Sequence, residues 1–434
     1  MSSLISFPLY HSRLLIALVA LLLLTGCAAR RTPNLERIFA SARTRSGKRP
    51  VIVIPGVLGS RLVNRKTGEE VWPSVFRSSD DDLSLPISPD LLSNRDDLVA
   101  ARIVDTIKLA RLVPSRLAPE VYVYYELLEA LERFGGYRAG DWNSPPPGGD
   151  QDTFYVFPYD WRRDNVESAR ELVGRIEELK LKLNRPDLQF NIVAHSMGGL
   201  VARYAAMYGN ADLPAEGETP QPTWAGAKVI NKIFMFGTPN GGSAEAFATL
   251  LEGFSLTEGL RRRVSLLNNL TREDALTAPA LFQLLPHGET ARFLDEDLRP
   301  LTLDLYDPAV WQRYGWSAAT EPKYRQRLTR VGDGEGGSEN PRRATSLDDL
   351  DAYFAEVLSR AKRFHEALNA ASPSTPSVAL YAFGGDCEET LAAPVILRDE
   401  KRGRWVTLTA PRSFDSSGGR RINRREVTRA MYEP

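Results

Sequence analysis

The sequence predicts an α/β fold: a mostly parallel sheet with helices on both faces. Three observations carry this. Val51–Ile54 is an unbroken β-branched run, the pattern of a strand buried on both sides. Strand-like and helix-like stretches then alternate, with strands starting at 153, 188 and 227 and a helix over 168–184 between the first two. Finally, "NIVAHSMGGL" at 191–200 places a serine between a strand-like run and a Gly-rich helix start.

In chain order, "RPVIVIPGVLGSRL" (49–62) opens the fold, and its strand stops at Pro55-Gly56 in a tight loop. Residues 64–120 hold Pro, Asp and Ser with little periodicity, and read as an excursion with short helices. In "YYELLEALERF" (124–134), Tyr124, Leu127, Leu128, Leu131 and Phe134 fall at helical spacing. "NSPPPGGDQD" (143–152) is a surface loop, and "TFYVFPYDWR" (153–162) begins as a strand. Leu172, Ile176, Leu179 and Leu183 share one helical face. "LQFNIVA" (188–194) and the start of "AKVINKIFMFGTPNGG" (227–242) are strands. Residues 244–330 look helical and irregular and read as a cap, 331–346 as a flexible excursion, and 347–368 as a long amphipathic helix. "SVALYAFGGD" (377–386) is expected to be a further buried strand.

Lys+Arg and Asp+Glu both number 55, so no net positive charge recruits nucleic acid or anionic lipid. The first informative segment is "SRLLIALVALLLLTGC". Its apolar run Leu14–Leu24 is too short to span a bilayer and fits the core of an export signal. Leu24-Thr25-Gly26-Cys27 resembles a bacterial lipobox, which implies cleavage before Cys27 and lipidation of its sulfur. The expected organisation is a signal over 1–26, a tether over 27–48 and one domain over 49–434 with cap insertions near 64–120 and 244–330. Localisation follows as an exported, membrane-anchored lipoprotein on the periplasmic face, with the outer membrane favoured because Ala28 is no acidic retention signal. With Cys27 lipidated, only Cys387 remains, and no internal disulfide can form.

Ala194-His195-Ser196-Met197-Gly198 is a variant of the G-x-S-x-G nucleophile elbow, with Ala in the first small position. Small residues are needed because the strand turns sharply into the helix, lifting the serine hydroxyl above the sheet of an α/β-hydrolase. The alternative is a plain strand–helix junction with a serine cap. A tetrahedral intermediate needs two N–H donors: Met197 supplies one, and Val57, in the loop after the first strand, is the candidate for the other. No His/Cys cluster has metal-ligand spacing, so no cofactor is expected.

"PVIVIPGVLGSRL", "VW" (71–72), "FPYDWR" (157–162), "AHSMGG", "FGTPNGGS", "LFQLLP" (281–286) and "DLYDPAVW" (304–311) occur in that order. Together they resemble the lecithin:cholesterol acyltransferase-like family, which includes lysosomal phospholipase A2 and phospholipid:diacylglycerol acyltransferase, over about residues 50–395. The resemblance makes Ser196 the acyl-accepting nucleophile, with the Val57 and Met197 N–H groups as its oxyanion hole, and makes the segment around Trp72 a lid that meets lipid. Asp160 and Arg162 read as a structural pair.

The chain has four histidines. His11 leaves with the signal; His195 flanks the elbow and is expected to pack structurally; His287 lies in the cap; His365 lies mid-helix. Asp333 precedes His365 by 32 residues, but no strand separates them as a triad would need. Asp386, ending a late strand, is the better acid by general logic. The resemblance instead implies a later Gly-Asp-Gly acid and a histidine beyond it, past Pro434, so the sequence reads as truncated. A rewired triad of Asp386 with His365 or His287 is the competitor. The expected function is acyl hydrolysis or O-acyl transfer on phospholipid or a related ester, with a lipid substrate and a membrane surface as partners. A general carboxylesterase or triacylglycerol lipase, or a catalytically silent lipid-binding lipoprotein, are the alternatives.

Overall fold

The computed structural model describes residues 33–73, 83–108, 120–255, 270–317, 346–372 and 377–433. Six strands form the central sheet: β1 (Val51–Ile54), β2 (Arg138–Ala139), β3 (Thr153–Val156), β4 (Phe190–His195), β5 (Ile230–Phe236) and β6 (Ala379–Phe383). Their order is β6-β5-β4-β1-β3-β2, and every neighbouring pair is parallel. The chain therefore has an α/β-hydrolase fold, with the serine at the C-terminal end of a central strand.

Alternation along β1 explains the layers. Ile52 and Ile54 join the large core shared with helix α2 (Asn165–Lys182) and helix α3 (Met197–Tyr208). Val51 and Val53 face the other way and pack with Tyr124, Leu127, Leu128 and Leu131, from the start and body of helix α1 (Tyr125–Arg133). One strand thus feeds two cores because successive side chains point to opposite faces. Asp164 starts α2, accepting the Val166 and Glu167 N–H groups. The expected 168–184 helix begins three residues earlier for this reason.

Two expectations are corrected. The stretch 64–120 carries no helix among its described residues. Instead Ser60–Asn64, Glu70–Trp72 and Leu98–Ile103 pair as a three-stranded antiparallel sheet. Its period-2 signal is hidden because the short strands alternate with loops held by side chains, such as the Asn64 amide accepting the Lys66 N–H. The late strand β6 is not buried: all five of its residues are exposed. It is the sheet edge, and the α1-side face of β5 and β6 carries two stacked pairs, Phe234–Tyr381 at 5.0 Å and Phe236–Phe383 at 4.8 Å. Phe236 and Phe383 stay 42% and 47% exposed.

The cap segment contains helix α4 (Ala244–Glu252) and three shorter helices, Arg272–Leu276, Pro279–Phe282 and Pro308–Tyr314. Phe247, Phe282, Phe293, Trp311 and Trp316 pack together there. Helix α5 (Leu347–Asn369) is fastened below by Arg360, which bonds Asp164 and Asp212, each at 2.9 Å. A hairpin, Val395–Asp399 with Arg404–Leu408, packs with helix α6 (Arg424–Tyr432) against Ala244 of α4. No helix among the described residues is long and apolar enough to cross a membrane.

Candidate active site

Ser196 is the single residue between β4 and α3, with φ 50° and ψ −128°. For a residue with a Cβ this conformation costs about 1–3 kcal/mol and persists only where its surroundings enforce it. They do. The Ser196 N–H donates to the Phe236 carbonyl at 2.8 Å, and its carbonyl accepts the Gly199 N–H at 3.0 Å. A Cβ on Gly198 would collide with the Pro55 carbonyl oxygen, so only glycine lets α3 start this close to the end of β1.

The loop Pro55–Gly59 lies against the serine turn. A Cβ on Gly56 would stand 2.8 Å from the Ser196 Cβ. Four contacts shape the loop. Its own turn closes by Gly59 N–H to the Gly56 carbonyl at 3.1 Å. The Tyr124 hydroxyl accepts the Gly56 N–H at 2.8 Å, the Tyr159 hydroxyl donates to the Pro55 carbonyl at 3.0 Å, and the Trp72 indole N–H donates to the Leu58 carbonyl at 2.8 Å. Leu58 itself is held at φ 62°. Two non-glycine residues at positive φ, Leu58 and Ser196, thus line the same cleft. Among the described residues, neither the Val57 N–H nor the Met197 N–H has an acceptor, and the Ser196 hydroxyl has no partner.

Trp72 itself does not meet the lid expectation; residues 74–82 of that segment lie outside the described residues. The ring is 1% exposed, packs edge-on against Trp161 at 5.7 Å, and braces the loop instead of meeting solvent. A large aromatic with one N–H is suited to that place because burial satisfies the ring and the carbonyl satisfies the donor. Behind it, Arg162 is buried between Asp160 and Asp96, with both ion pairs at 2.7 Å, and also donates to the Leu83 carbonyl. The two carboxylates hold the guanidinium charged despite burial.

A cleft of about 1040 Å³ opens over Ser196. Val57, Leu58, Leu281, Leu284 and Phe254 form apolar wall; Ser243, Glu245, Thr249, Glu252 and Thr409 form polar wall. Glu245 accepts the Leu391 N–H and Glu252 accepts the Thr409 hydroxyl, so the C-terminal part of the chain closes one side. The sequence did not single out these residues, because their convergence depends on the packing of α4 on α6.

The histidines are engaged elsewhere. His365 is buried in α5 with its Nε2 2.8 Å from the Gln283 carbonyl and its Nδ1 2.5 Å from the Tyr306 hydroxyl. A carbonyl only accepts, so Nε2 carries the proton and Tyr306 donates to Nδ1. Burial, with the neighbouring His287, pushes its pKa down to about 3. His287 stacks on it at 4.1 Å, and burial lowers its pKa as well. His195 remains exposed while its Nδ1 lies 2.8 Å from the Tyr124 hydroxyl. Asp386 is exposed after β6, where its carboxylate accepts from the Cys387 thiol at 3.8 Å; no histidine among the described residues bonds it. Ser196 and Val57 thus line one cleft with Met197 next in sequence, whereas among the described residues no hydrogen bond links Asp386, His365 or His287 to Ser196. Cys27 and Asp333 lie outside the described residues.

Residues 108–315, just under half of the chain, match the model of the lecithin:cholesterol acyltransferase family. The chain is lecithin:cholesterol acyltransferase-like over this segment. The match covers Tyr124, the Tyr159–Arg162 segment and the serine turn, and supports in general terms a hydrolase or acyltransferase acting on lipid esters. Among solved structures, a chain of the Tle4–Tli4 complex is 15% identical, with a TM-score of 0.43 over 85% of each chain. Bacillus licheniformis lipase BlEst2 in its mature form is 12% identical, with a TM-score of 0.23 over 53% of this chain and 58% of that one. No curated protein matches the sequence.

Proposed function

We propose that the chain is a serine-dependent lipid acyl hydrolase or O-acyltransferase in which Ser196 is the nucleophile. The observation that supports this is the strained turn at Ser196, its hydroxyl free and two acceptor-less N–H groups beside it at the floor of a cleft. Ser196 Oγ would bond to the ester carbonyl carbon. The Val57 and Met197 N–H groups would receive the oxyanion, the C–O bond would break, and the alcohol would leave with the serine proton. Water or a second alcohol would then take the acyl group. A cleft with one apolar and one polar wall suits an amphiphilic ester, and a phospholipid is the class in view. A lipid anchor at Cys27, as the sequence predicts, would keep this cleft near such substrates.

A second reading, a lipid-binding protein without turnover, is favoured by one observation: none of the three described histidines bonds Ser196. Both readings are tested by mixing the full chain with phospholipid vesicles and following vesicle binding and fatty-acid release. The expected result is slow release that falls in Ser196→Ala, because the acyl group passes through the Ser196 Oγ; the variant keeps only the oxyanion donors and binding, worth together about 10³–10⁴-fold over water in known serine enzymes. Release undiminished in Ser196→Ala overturns the serine reading. Binding with no release favours the second reading.

A further inference from the structure

Tyr124 stands at the start of α1, on the opposite side of the sheet from α3, and its hydroxyl reaches into the fold of the loop Pro55–Gly59. The residue is 72 positions before Ser196 and has no place in the elbow motif. Yet its oxygen is where the two halves of the site meet. It accepts the buried Gly56 N–H at 2.8 Å, and it lies 2.8 Å from Nδ1 of His195, the residue immediately before the nucleophile. The Tyr124 and His195 rings also meet edge to face at 5.6 Å. The Gly56 Cα lies so near that an added Cβ would stand 3.1 Å from His195 Nδ1 and 2.8 Å from the Ser196 Cβ. The hydroxyl therefore bridges the loop that carries Val57 to the turn that carries Met197.

The base of the bridge is rigid. The Val123, Tyr124 and Tyr125 N–H groups all point at the Asp105 carbonyl, and the Asp105 side chain is paired with Arg61 at 3.1 Å. The tyrosine body is buried against Val51, Val53 and Phe154. A phenol suits the position because it reaches across the sheet edge with two rotatable bonds and offers both an acceptor for Gly56 and a donor or acceptor for the imidazole.

We propose that Tyr124 is a positioning residue. By tying Gly56 N–H to His195 Nδ1 it sets the separation of the Val57 and Met197 N–H groups, and so the fit of the site to a tetrahedral oxyanion. The proposal rests on the reading of Ser196 as nucleophile. It predicts that losing the hydroxyl leaves the fold in place but loosens one of the two oxyanion donors relative to the other, which affects the reacting state more than the bound one.

The test uses the full chain with Tyr124→Phe, His195→Asn and His195→Leu. Asparagine places a polar atom near where Nδ1 stood; leucine does not. The first readout is amide hydrogen exchange across residues 51–60. Tyr124→Phe should speed exchange at Gly56 about 5- to 10-fold, with the β1 amides unchanged. The second is the rate at which an alkyl fluorophosphonate modifies Ser196, forming the Oγ–P bond with loss of fluoride and of the serine proton to solvent. Tyr124→Phe and His195→Leu should lower the maximal rate about 10-fold or more at an unchanged half-saturating concentration, and His195→Asn should recover most of it. Unchanged exchange at Gly56 overturns the proposal, as does faster exchange with an unchanged modification rate. If wild-type Ser196 does not react, the nucleophile reading fails separately, and the exchange comparison still decides whether Tyr124 holds the loop. Should Tyr124→Phe not fold, the His195→Leu and His195→Asn pair decides.

Discussion

Around Ser196, the loop Pro55–Gly59 is gripped by Tyr124, Tyr159 and Trp72, and the turn itself by the Phe236 carbonyl. At the other end of the same sheet edge, residues 384–390 follow β6 fully exposed, and Asp386 meets its neighbour Cys387. Both segments leave the C-terminal ends of parallel strands, where such folds place their chemistry. The difference lies in what stands behind them. The serine side has a helix on each face and a buried ion network below it. The β6 side has one strand neighbour and an open aromatic face. Strain of the kind seen at Ser196 and Leu58 can be held only on the first side, because only there does packing fix the backbone from several directions.

The two sides should differ most at the buried charges. Arg162→Met leaves Asp160 and Asp96 buried without their cation, and should cost about 3–5 kcal/mol in chemical denaturation. Asp386→Asn, made on the exposed side, should stay within about 0.5 kcal/mol of wild type. Equal effects would dissolve the contrast between the two sides.

A smaller effect comes from pH. The folded pKa of His365 is depressed to about 3 from an ordinary 6.5. Between those values the unfolded chain takes up a proton that the folded chain refuses, so stability falls as pH drops through the window and is unaffected above it. From pH 7 to pH 5 the loss from this group is about 2 kcal/mol. His365→Leu should flatten the denaturation midpoint over that range by a matching amount. A slope unchanged by the substitution would mean that the folded ring takes up its proton as readily as the unfolded one, with Nδ1 then donating to the Tyr306 hydroxyl while Nε2 still donates to the Gln283 carbonyl.

Much of the half around Ser196 was legible in the sequence. The β-branched run at 51–54, the small residues around Ser196 and the Pro-Gly loop are local patterns, and local patterns survive into the fold. The parts that were not legible depend on long-range pairing. Tyr124 reads as one more apolar position of a helix, since nothing nearby signals that its hydroxyl will meet Gly56. The resemblance makes the segment around Trp72 a lid, and nothing local signals that Trp161 and the Leu58 carbonyl will bury the ring. The strand at 379–383 reads as buried because its residues are apolar, but composition does not say which strand takes the sheet edge. Asp96, the second partner of Arg162, sits in a stretch with no periodic signal at all.

The most direct test of the central claim is to expose the full chain to an alkyl fluorophosphonate at mildly alkaline pH and locate the adduct by peptide mass spectrometry, with and without His365→Leu. One slow adduct is expected, on Ser196, at the same rate in both proteins. An adduct elsewhere, or one whose rate collapses in His365→Leu, would contradict it: the first would unseat Ser196, and the second would make His365 its base.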